Sequence, residues 1–193
     1  MKKYSHEDKL KIFEKELSYI KNEEIQQSVK DILINLPDYF YEIPASSTGK
    51  YHPKYAQGEQ GLIRHTKAAV RIAIELFQLF EFNSYEKDII VGSLILHDGC
   101  KNGRNKIENY TISTHPLEIC ELIEETINNK KIYINDICEC IISHMGKWNK
   151  DFDGNEILPK PTSEIQFFVH LCDYLASRKC LEFNFDVDVI RRD

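Results

Sequence analysis

The stretch that decides the fold is residues 89–98, IIVGSLILHD, in which a predominantly apolar run leads directly into a histidine and an aspartate. An Asn-Ser pair at 83–84 can cap a helix upstream, so the pattern predicts a short helix that ends at His97 and Asp98. Gly99 follows and suits the left-handed conformation past a helix end. An adjacent imidazole and carboxylate at a helix end can both bind one metal ion, through nitrogen and oxygen.

Helical periodicity extends over most of the chain, because apolar residues recur at intervals of three and four positions. Two N-terminal stripes show it, namely Leu10, Phe13, Leu17 and Ile20, which Ser5 can cap, and Ile25, Val29, Ile32 and Leu36, which Pro37 stops. Later helical patterns run from about Gly61 to Phe80 and over residues 115–128, 135–145 and 162–180. No strand-like alternation of any length is visible. The chain is therefore predicted to be an all-α, single-domain helical bundle.

Length and composition favour one folded domain over residues 1–193, since a chain of 193 residues that is 42% hydrophobic can bury a substantial core. Residues 1–41 are predicted to form N-terminal helices. Residues 42–61 are predicted to form a lid-like loop, because they are rich in Pro, Ser, Thr, Gly and Tyr. Residues 60–180 make up the functional core, and the tail 183–193 has an ambiguous pattern.

The formal net charge of −6 disfavours binding of long nucleic acid, which usually requires a basic face. It is compatible with a small anionic substrate held through metal ions. The sequence has no apolar stretch of about 18 residues and no signal-like start, which predicts no membrane association and a cytoplasmic location. The six cysteines lie mostly within helix-like apolar patterns, and this favours buried, reduced thiols over disulfides.

Three residues with metal-binding side chains lie on the apolar faces of predicted helices. They are His65, which shares a face with Ala69, Ile72 and Leu76, His144, which shares one with Ile137 and Ile141, and Asp173, which shares one with Val169 and Ala176. A buried imidazole must be hydrogen-bonded or bound to an ion, and a buried carboxylate is costly unless a cation pairs with it. A single buried histidine is more often a satisfied core residue than a ligand. Three such helices beside a fourth that ends in His-Asp together predict a metal site.

The order of these residues, H…HD…H…H…D, resembles the HD superfamily of metal-dependent phosphohydrolases over roughly residues 60–180. The resemblance implies a core metal site, a second ion, and a bridging role for Asp98. The implied core ligands are His65, His97, Asp98 and Asp173, and the implied ligands of the second ion are His115 and His144. Nitrogen and oxygen ligands without thiolate suit two divalent ions chosen from Mn²⁺, Fe²⁺, Ni²⁺, Co²⁺ and Mg²⁺.

The resemblance also implies an activity. It predicts hydrolysis of a phosphoester or phosphoanhydride bond, in a nucleotide or a small nucleotide-derived substrate, by a metal-activated hydroxide. Such an enzyme is of the phosphodiesterase or nucleotidase type. Asp98 and Lys101 are the implied catalytic residues, because Lys101 completes an H-D-x-x-K run and a lysine there contacts the substrate phosphate or the leaving oxygen.

The loop at 42–61 leads directly into the helix that carries His65, and we therefore expect it at the mouth of the pocket. The side chains predicted to bind phosphate or to stack on a base are Lys50, Tyr51, His52, Lys54 and Arg64, together with Lys101. Residues 46–50, SSTGK, are not a Walker motif, because the leading glycine and the Ser or Thr after the lysine are missing.

Two other functions are compatible with the same scaffold: a non-catalytic nucleotide-binding sensor and a di-iron oxygenase. The cyclic-di-GMP branch of the superfamily is disfavoured, because no Gly-Tyr-Pro triplet follows the HD region. Processive RNA degradation is disfavoured, because no OB-type β domain precedes that region. Residues 151–156, DFDGNE, lack the glycine position of an EF-hand loop. His170, one turn before Asp173, is either a hydrogen-bond partner of a ligand or a core residue.

Overall fold

Eight α-helices form the regular structure of the computed structural model, which describes residues 4–105, 107–127 and 131–179. The helices are α1 (His6–Ile12), α2 (Glu14–Leu17), α3 (Glu23–Asn35), α4 (Gly61–Leu76), α5 (Ser84–Leu96), α6 (His115–Thr126), α7 (Ile132–Ser143) and α8 (Glu164–Ala176). These described residues contain no β-strand and only one isolated bridge, between Lys150 and Glu156. The prediction of an all-α helical domain is confirmed. Cys180 and the tail 183–193 lie outside the described residues.

The N-terminal region contains three helices where the sequence pattern predicted two. Ser5 caps α1 as predicted, in a capping box with Asp8. Phe13 then separates α1 from α2, and its buried ring stacks on Phe40 at a centroid distance of 6.1 Å. Helix α3 ends just before Pro37, as predicted.

Helix α5 is the central element of the fold. Residues 88–96 are all buried, and α5 packs against α2, α3, α4, α7 and α8. A helix buried on every side needs a sequence without a polar face, which the apolar run provides. A capping box between Asn83 and Glu86 fixes its N-terminus. Because α5 runs through the interior, its C-terminal end delivers His97 and Asp98 to a buried point between the other helices.

The prediction that Gly99 adopts the left-handed conformation is wrong. The glycine with positive φ in this loop is Gly103, at 101°. Close packing is what requires a glycine at position 99, because a Cβ there would lie 2.7 Å from Leu36 Cδ2 and 2.9 Å from Ile119 Cδ1. The end of α3 and the side of α6 therefore approach the end of α5 more closely than a larger residue allows.

The later helices begin and end near their predicted positions, and the main difference is the end of α4. It ends at Leu76 and not at Phe80. Three aromatic rings after this point gather around Phe168 of α8, with centroid distances of 5.6 Å for Phe77, 4.8 Å for Phe80 and 4.9 Å for Phe82. After Leu76 the chain brings Phe80 and Phe82, which stack on each other at 5.5 Å, against the same ring that Phe77 contacts, so the aromatic cluster accompanies the earlier helix end.

Five cysteines fall in the part of the chain that the structure describes, and all five are free thiols. Four of them are buried, and Cys138 is partly exposed. Within the same residues, no helix is long enough and apolar enough to cross a membrane.

Candidate metal centre

Five helices direct six histidine and aspartate side chains to one point in the interior. His65 comes from α4, His97 and Asp98 from the end of α5, His115 from the start of α6, His144 from the end of α7 and Asp173 from α8. All are buried except Asp173, which is partly exposed. The structure thus brings together the six residues that the H…HD…H…H…D pattern selects.

The first group of ligand-type atoms surrounds one oxygen of each carboxylate. The Nε2 atom of His65 lies 2.9 Å from Asp173 Oδ1 and 3.7 Å from Asp98 Oδ2. The Nε2 atom of His97 lies 3.4 Å from Asp98 Oδ2 and 3.5 Å from Asp173 Oδ1. Ligand atoms that share one ion at bond lengths near 2.1 Å are separated by about 3.0–3.4 Å, so these distances are close to those of a common coordination sphere.

The second group uses the other oxygen of Asp98. His115 Nε2 lies 3.2 Å from Asp98 Oδ1 and 3.4 Å from His144 Nε2. Asp98 therefore presents Oδ2 to one set of imidazoles and Oδ1 to another. A carboxylate in this position can take part in two cation sites at once.

Three of the four histidines are oriented by the backbone turn that precedes them. Their Nδ1 atoms lie next to the carbonyl oxygen three residues earlier, at 2.8 Å for His97 and Leu94, 2.7 Å for His115 and Ile112, and 2.6 Å for His144 and Ile141. A carbonyl oxygen only accepts hydrogen bonds, so Nδ1 carries the hydrogen and donates it. In a neutral ring this leaves the lone pair of Nε2 directed at the centre.

The surroundings of these Nε2 lone pairs show whether the residues fit a metal ion. His115 and His144 face each other through two Nε2 atoms at 3.4 Å, and neither neutral ring has a hydrogen to place between them. His97 Nε2 is buried without a hydrogen-bond partner. Buried acceptors arranged in this way require a cation or a proton. The ligand-type atoms form three overlapping groups, each within 4.8 Å, that can hold a metal ion: His65, His97 and Asp98; His97, His144 and Asp173; Asp98, His115 and His144.

The charges of the site favour a cation. Burial opposes ionisation of Asp98, but Lys101 and His97 outweigh it and hold the pKa of that carboxyl well below its usual range. The pKa of Asp173 is likewise lowered, because its interactions with His65 and His97 outweigh burial. Burial opposes protonation of His97, yet the two carboxylates raise its pKa to about 10. Two ionised carboxylates therefore face the centre and stabilise positive charge there.

His144 differs from His97 in its protonation. Burial, assisted by the neighbouring positive charge of His97, lowers the pKa of His144 to about 3. Its ring is therefore neutral at physiological pH, which is the state that binds a metal. His170 supports this position, because its Nδ1 donates a hydrogen bond to the backbone carbonyl of His144 at 2.6 Å. Gly146, with φ of 57°, leaves room for the His170 ring, since a Cβ would lie 2.4 Å from Cε1.

Lys101 is the basic residue of the site. Its Nζ lies 2.5 Å from Asp98 Oδ2, and the residue is 9% exposed. The ammonium group faces the same Asp98 oxygen as His65 and His97, so it balances part of the negative charge of the centre. The lysine also lines the cavity above the cluster, where a bound anion can reach it.

A cavity of about 380 Å³ lies against five of the six residues, all but the fully buried His97. It is lined by Tyr51, His52, His65, Asp98, Lys101, Thr111, His115, His144, Met145, Trp148, Asp173, Tyr174, Ser177 and Arg178. Of the predicted substrate-binding residues, Tyr51, His52 and Lys101 are in this lining. The His52 ring lies 5.2 Å from the His65 ring, and burial together with the charge of His65 lowers the pKa of His52 to about 3. His52 is therefore a neutral group at the edge of the centre.

The other three predicted substrate-binding residues do not line the cavity. Lys50 and Lys54 are exposed, and the Lys50 ammonium lies 5.1 Å from the Tyr51 ring centroid. Arg64 donates hydrogen bonds to backbone carbonyls within the loop, those of Tyr55, Gln57 and Glu59. These contacts hold the 42–61 loop in shape. The sequence does not reveal this structural role, because it does not show where the backbone carbonyls of the loop lie.

Six lining residues were not singled out by the sequence, namely Thr111, Met145, Trp148, Tyr174, Ser177 and Arg178. Three of these, Trp148, Tyr174 and Arg178, contact one another or Tyr51. Tyr174 follows the candidate ligand Asp173 directly, and Arg178 lies one turn of chain further. Their proximity to Tyr51 depends on the packing of the 42–61 loop against the end of α8, which includes a hydrogen bond from the Tyr55 hydroxyl to the Ala176 carbonyl at 3.0 Å. No local pattern predicts such a contact.

The chain was compared with known proteins at three levels. A scan against protein-family models, a search of curated proteins and a search of solved structures find no match to it. The case for its function therefore depends on the geometry and chemistry of the centre.

Proposed function

We propose that this protein is a metal-dependent phosphohydrolase that cleaves a phosphoester or phosphoanhydride bond of a nucleotide or a small nucleotide-derived substrate. The observation that carries the proposal is the position of Asp98, whose two oxygens face two different sets of imidazoles at 3.2–3.7 Å. A shared carboxylate between two cation sites is the arrangement that two-metal phosphate chemistry requires.

The donor set suits divalent ions that accept nitrogen and oxygen ligands. Four imidazoles and two carboxylates meet at the centre, and no thiolate takes part in these groups. Mn²⁺, Fe²⁺, Ni²⁺, Co²⁺ and Mg²⁺ are compatible with such ligands, and we propose two ions per chain. His65, His97, Asp98 and Asp173 would hold one ion, and Asp98, His115 and His144 the other.

The chemistry supplied by bound divalent ions is activation of water and neutralisation of charge on the phosphate oxygens. The protein's own residues would position the substrate. Lys101 lies within the cavity and can donate to a phosphate oxygen or to the leaving oxygen. His52, neutral at the cavity edge, can donate a further hydrogen bond. The partly enclosed cavity limits access of bulk water, which strengthens these interactions.

The proposal includes a reducing, cytoplasmic environment. Five free cysteines in the described residues, four of them buried, are typical of a compartment that keeps thiols reduced.

The test is a screen of Mn²⁺-loaded protein against mono-, di- and cyclic nucleotides, with the products resolved by chromatography. We expect release of a phosphate-containing product that stops in excess EDTA and returns when Mn²⁺ is restored. Turnover that survives EDTA would contradict the proposal. Binding of nucleotides without turnover would identify a sensor, and an iron-dependent spectrum with oxidised product would identify a di-iron oxygenase.

A further inference from the structure

A continuous series of cation–aromatic contacts crosses the mouth of the cavity. It is built on three rings, Tyr51 of the 42–61 loop, Trp148 of the segment after α7, and Tyr174 of α8, which we call the aromatic wall. Trp148 and Tyr174 stack with a centroid distance of 5.7 Å and an interplanar angle of 19°. The Arg178 guanidinium lies 4.3 Å from the Tyr174 centroid and 5.7 Å from the Tyr51 centroid. The wall therefore joins three separate parts of the chain, because Arg178 links Tyr51 to Tyr174 and stacking links Tyr174 to Trp148.

Three cations lie along this wall. Lys50 lies over Tyr51 at 5.1 Å, Lys147 over Trp148 at 4.7 Å, and Arg178 over Tyr174. Within the described residues, none of the three forms an ion pair with a carboxylate, and the Arg178 side chain bonds only to the Ser177 hydroxyl. Arg178 lines the cavity, and Lys50 and Lys147 lie over rings that line it. In a chain with a net charge of −6, these cations give local attraction for an anion.

The rings of the wall are also accessible. Tyr51 is 54% exposed and Trp148 is 45% exposed, and both line the cavity with Tyr174. Exposed aromatic side chains next to unpaired cations are the features that bind planar, electron-rich rings by stacking. A phosphate monoester that has no aromatic ring would not stack on these side chains.

We propose that the aromatic wall is a base-binding subsite, in which the nucleobase of a mononucleotide-sized substrate stacks on Tyr51 at the position against which the Arg178 guanidinium lies. The inference deepens the proposed function, on which it rests. The Arg178 guanidinium lies 5.7 Å from the Tyr51 ring centroid and 4.3 Å from the Tyr174 ring centroid, so it marks the position beside Tyr51 that the base would take. When the base displaces the Arg178 guanidinium from Tyr51, the positive charge of the guanidinium remains near the substrate.

The wall and the candidate metal centre line the same cavity. Tyr174 is adjacent in sequence to Asp173, and Tyr51 is adjacent to His52, whose ring contacts His65. Base and phosphate would thus be bound by neighbouring residues. The cavity volume of about 380 Å³ lies near the lower end of the range of about 300–1,000 Å³ typical of small-molecule sites. This volume argues for one nucleoside unit and against a long chain.

Trp148 is the chain's single tryptophan, and its fluorescence therefore reports on the wall alone. The experiment measures quenching by stopped flow, before product accumulates, in Mg²⁺-loaded protein, and the affinities of ligands that do not reach the wall are obtained from their competition with the nucleotide. The probes are adenosine 5′-monophosphate, ribose 5-phosphate and inorganic phosphate. We expect the nucleotide to bind roughly 5- to 150-fold more tightly than ribose 5-phosphate, the gain typical of one stacked base.

Two substitutions of the exposed residue Tyr51 test whether the base contacts its ring. Tyr51→Ala should reduce this preference to near unity and leave the affinity for inorganic phosphate unchanged. Tyr51→Phe keeps the ring and should retain the preference. Equal affinities for the nucleotide and ribose 5-phosphate in the wild type, or an unchanged preference in Tyr51→Ala, would overturn the inference.

The readout separates this inference from the proposed function. Base-dependent binding without metal-dependent turnover would support the subsite and contradict the hydrolase. Metal-dependent hydrolysis with the same kcat/KM for the nucleotide and ribose 5-phosphate would support the hydrolase and contradict the subsite.

Discussion

Asp98 links the two groups of imidazoles, and the proposed chemistry depends on this residue more than on any other. Its carboxylate is 2% exposed and lies next to His65, His97, His115 and Lys101. Removing a charge from such a centre leaves the opposing charges unbalanced. The effect of a substitution must therefore be separated into loss of chemistry and loss of folding.

Asp98→Asn keeps the shape of the side chain and removes its charge. We predict loss of hydrolysis by at least about a hundredfold, because a bridging oxygen ligand positions both ions and water. Steady-state kinetics with Mn²⁺ measure this loss, and circular dichroism checks that the helices are retained. Activity within a few-fold of the wild type in the folded variant would contradict the proposed role of Asp98.

Lys101→Ala tests the basic residue of the cavity. We predict a fall of roughly ten- to a hundredfold in kcat/KM, since loss of one charged hydrogen bond costs about 1.5–3 kcal/mol. Metal content, measured by mass spectrometry, should stay at the wild-type level. Lys160→Ala is the matched control, because Lys160 is exposed, pairs only with Glu156 and does not line the cavity. If kcat/KM of Lys101→Ala equals that of the wild type, the role of Lys101 is structural only.

At the scale of helices, the centre is built from helix ends. His97 and His144 are the C-cap residues of α5 and α7, and His115 is the first residue of α6. Backbone carbonyls at these positions accept hydrogen bonds from Nδ1, which orients the rings without a dedicated side-chain partner. The close approach of α3 and α6 at Gly99 holds the end of α5 in place.

Gly99→Ala tests that approach. The added methyl group would lie 2.7 Å from Leu36 Cδ2 and 2.9 Å from Ile119 Cδ1, and overpacking of this kind costs about 1–3 kcal/mol of unfolding free energy. Urea unfolding followed by circular dichroism measures the change. Glu124→Ala, on the exposed face of α6, should change stability by no more than about 0.5 kcal/mol. Equal midpoints for Gly99→Ala and wild type would show that the neighbours relax freely.

The helices themselves could be predicted because their signals are local. Ser5, Asn83 and Pro37 mark helix ends through capping or a missing N–H, and the structure agrees with all three. The interruption at Phe13 and the early end of α4 could not be predicted, since both depend on aromatic partners distant in sequence, Phe40 and Phe168. Gly99 was predicted to adopt the left-handed conformation, whereas close packing is what requires a glycine there. Steric contact with other helices cannot be predicted from the local sequence pattern.

At the scale of the whole molecule, the parts of the site with local sequence signals could be predicted, and those formed by contacts between distant segments could not. His65, His144 and Asp173 could be found from the sequence, because polar side chains on apolar helix faces are conspicuous. His97 and Asp98 stood out at the end of an apolar run, and His115 was selected only by the resemblance to the H…HD…H…H…D pattern. The aromatic wall could not, because Tyr51, Trp148 and Tyr174 meet only after loops and helix ends pack together. Arg64 was predicted to bind substrate, yet its guanidinium is engaged by loop carbonyls.

The charge balance of the centre predicts how metal binding depends on pH. In the metal-free protein the carboxylates of Asp98 and Asp173 outweigh burial and raise the pKa of His97 to about 10. A metal ion that takes the Nε2 position must displace this proton. Protons stabilise the metal-free form at every pH below that value, so apparent metal affinity should increase as the pH rises.

Isothermal titration calorimetry with Mn²⁺ between about pH 6 and pH 8 measures this dependence, since His ligands titrate in and above this range. Comparison of two buffers with different ionisation enthalpies gives the number of protons released. We expect release of at least about one proton per chain. Affinity that is constant over this range, with no proton release, would mean that His97 is not displaced by the metal.

The central claim is that Asp98 joins two metal sites in one buried centre. The most direct measurement is the metal content per chain, by mass spectrometry, after loading with Mn²⁺ and removal of excess ion, for the wild type and for folded Asp98→Asn. The account predicts about two ions per chain in the wild type and fewer than about one in the variant, because one carboxylate serves both ions. A wild type that retains about one Mn²⁺ per chain or none, or an Asp98→Asn variant that retains as much as the wild type, would contradict it.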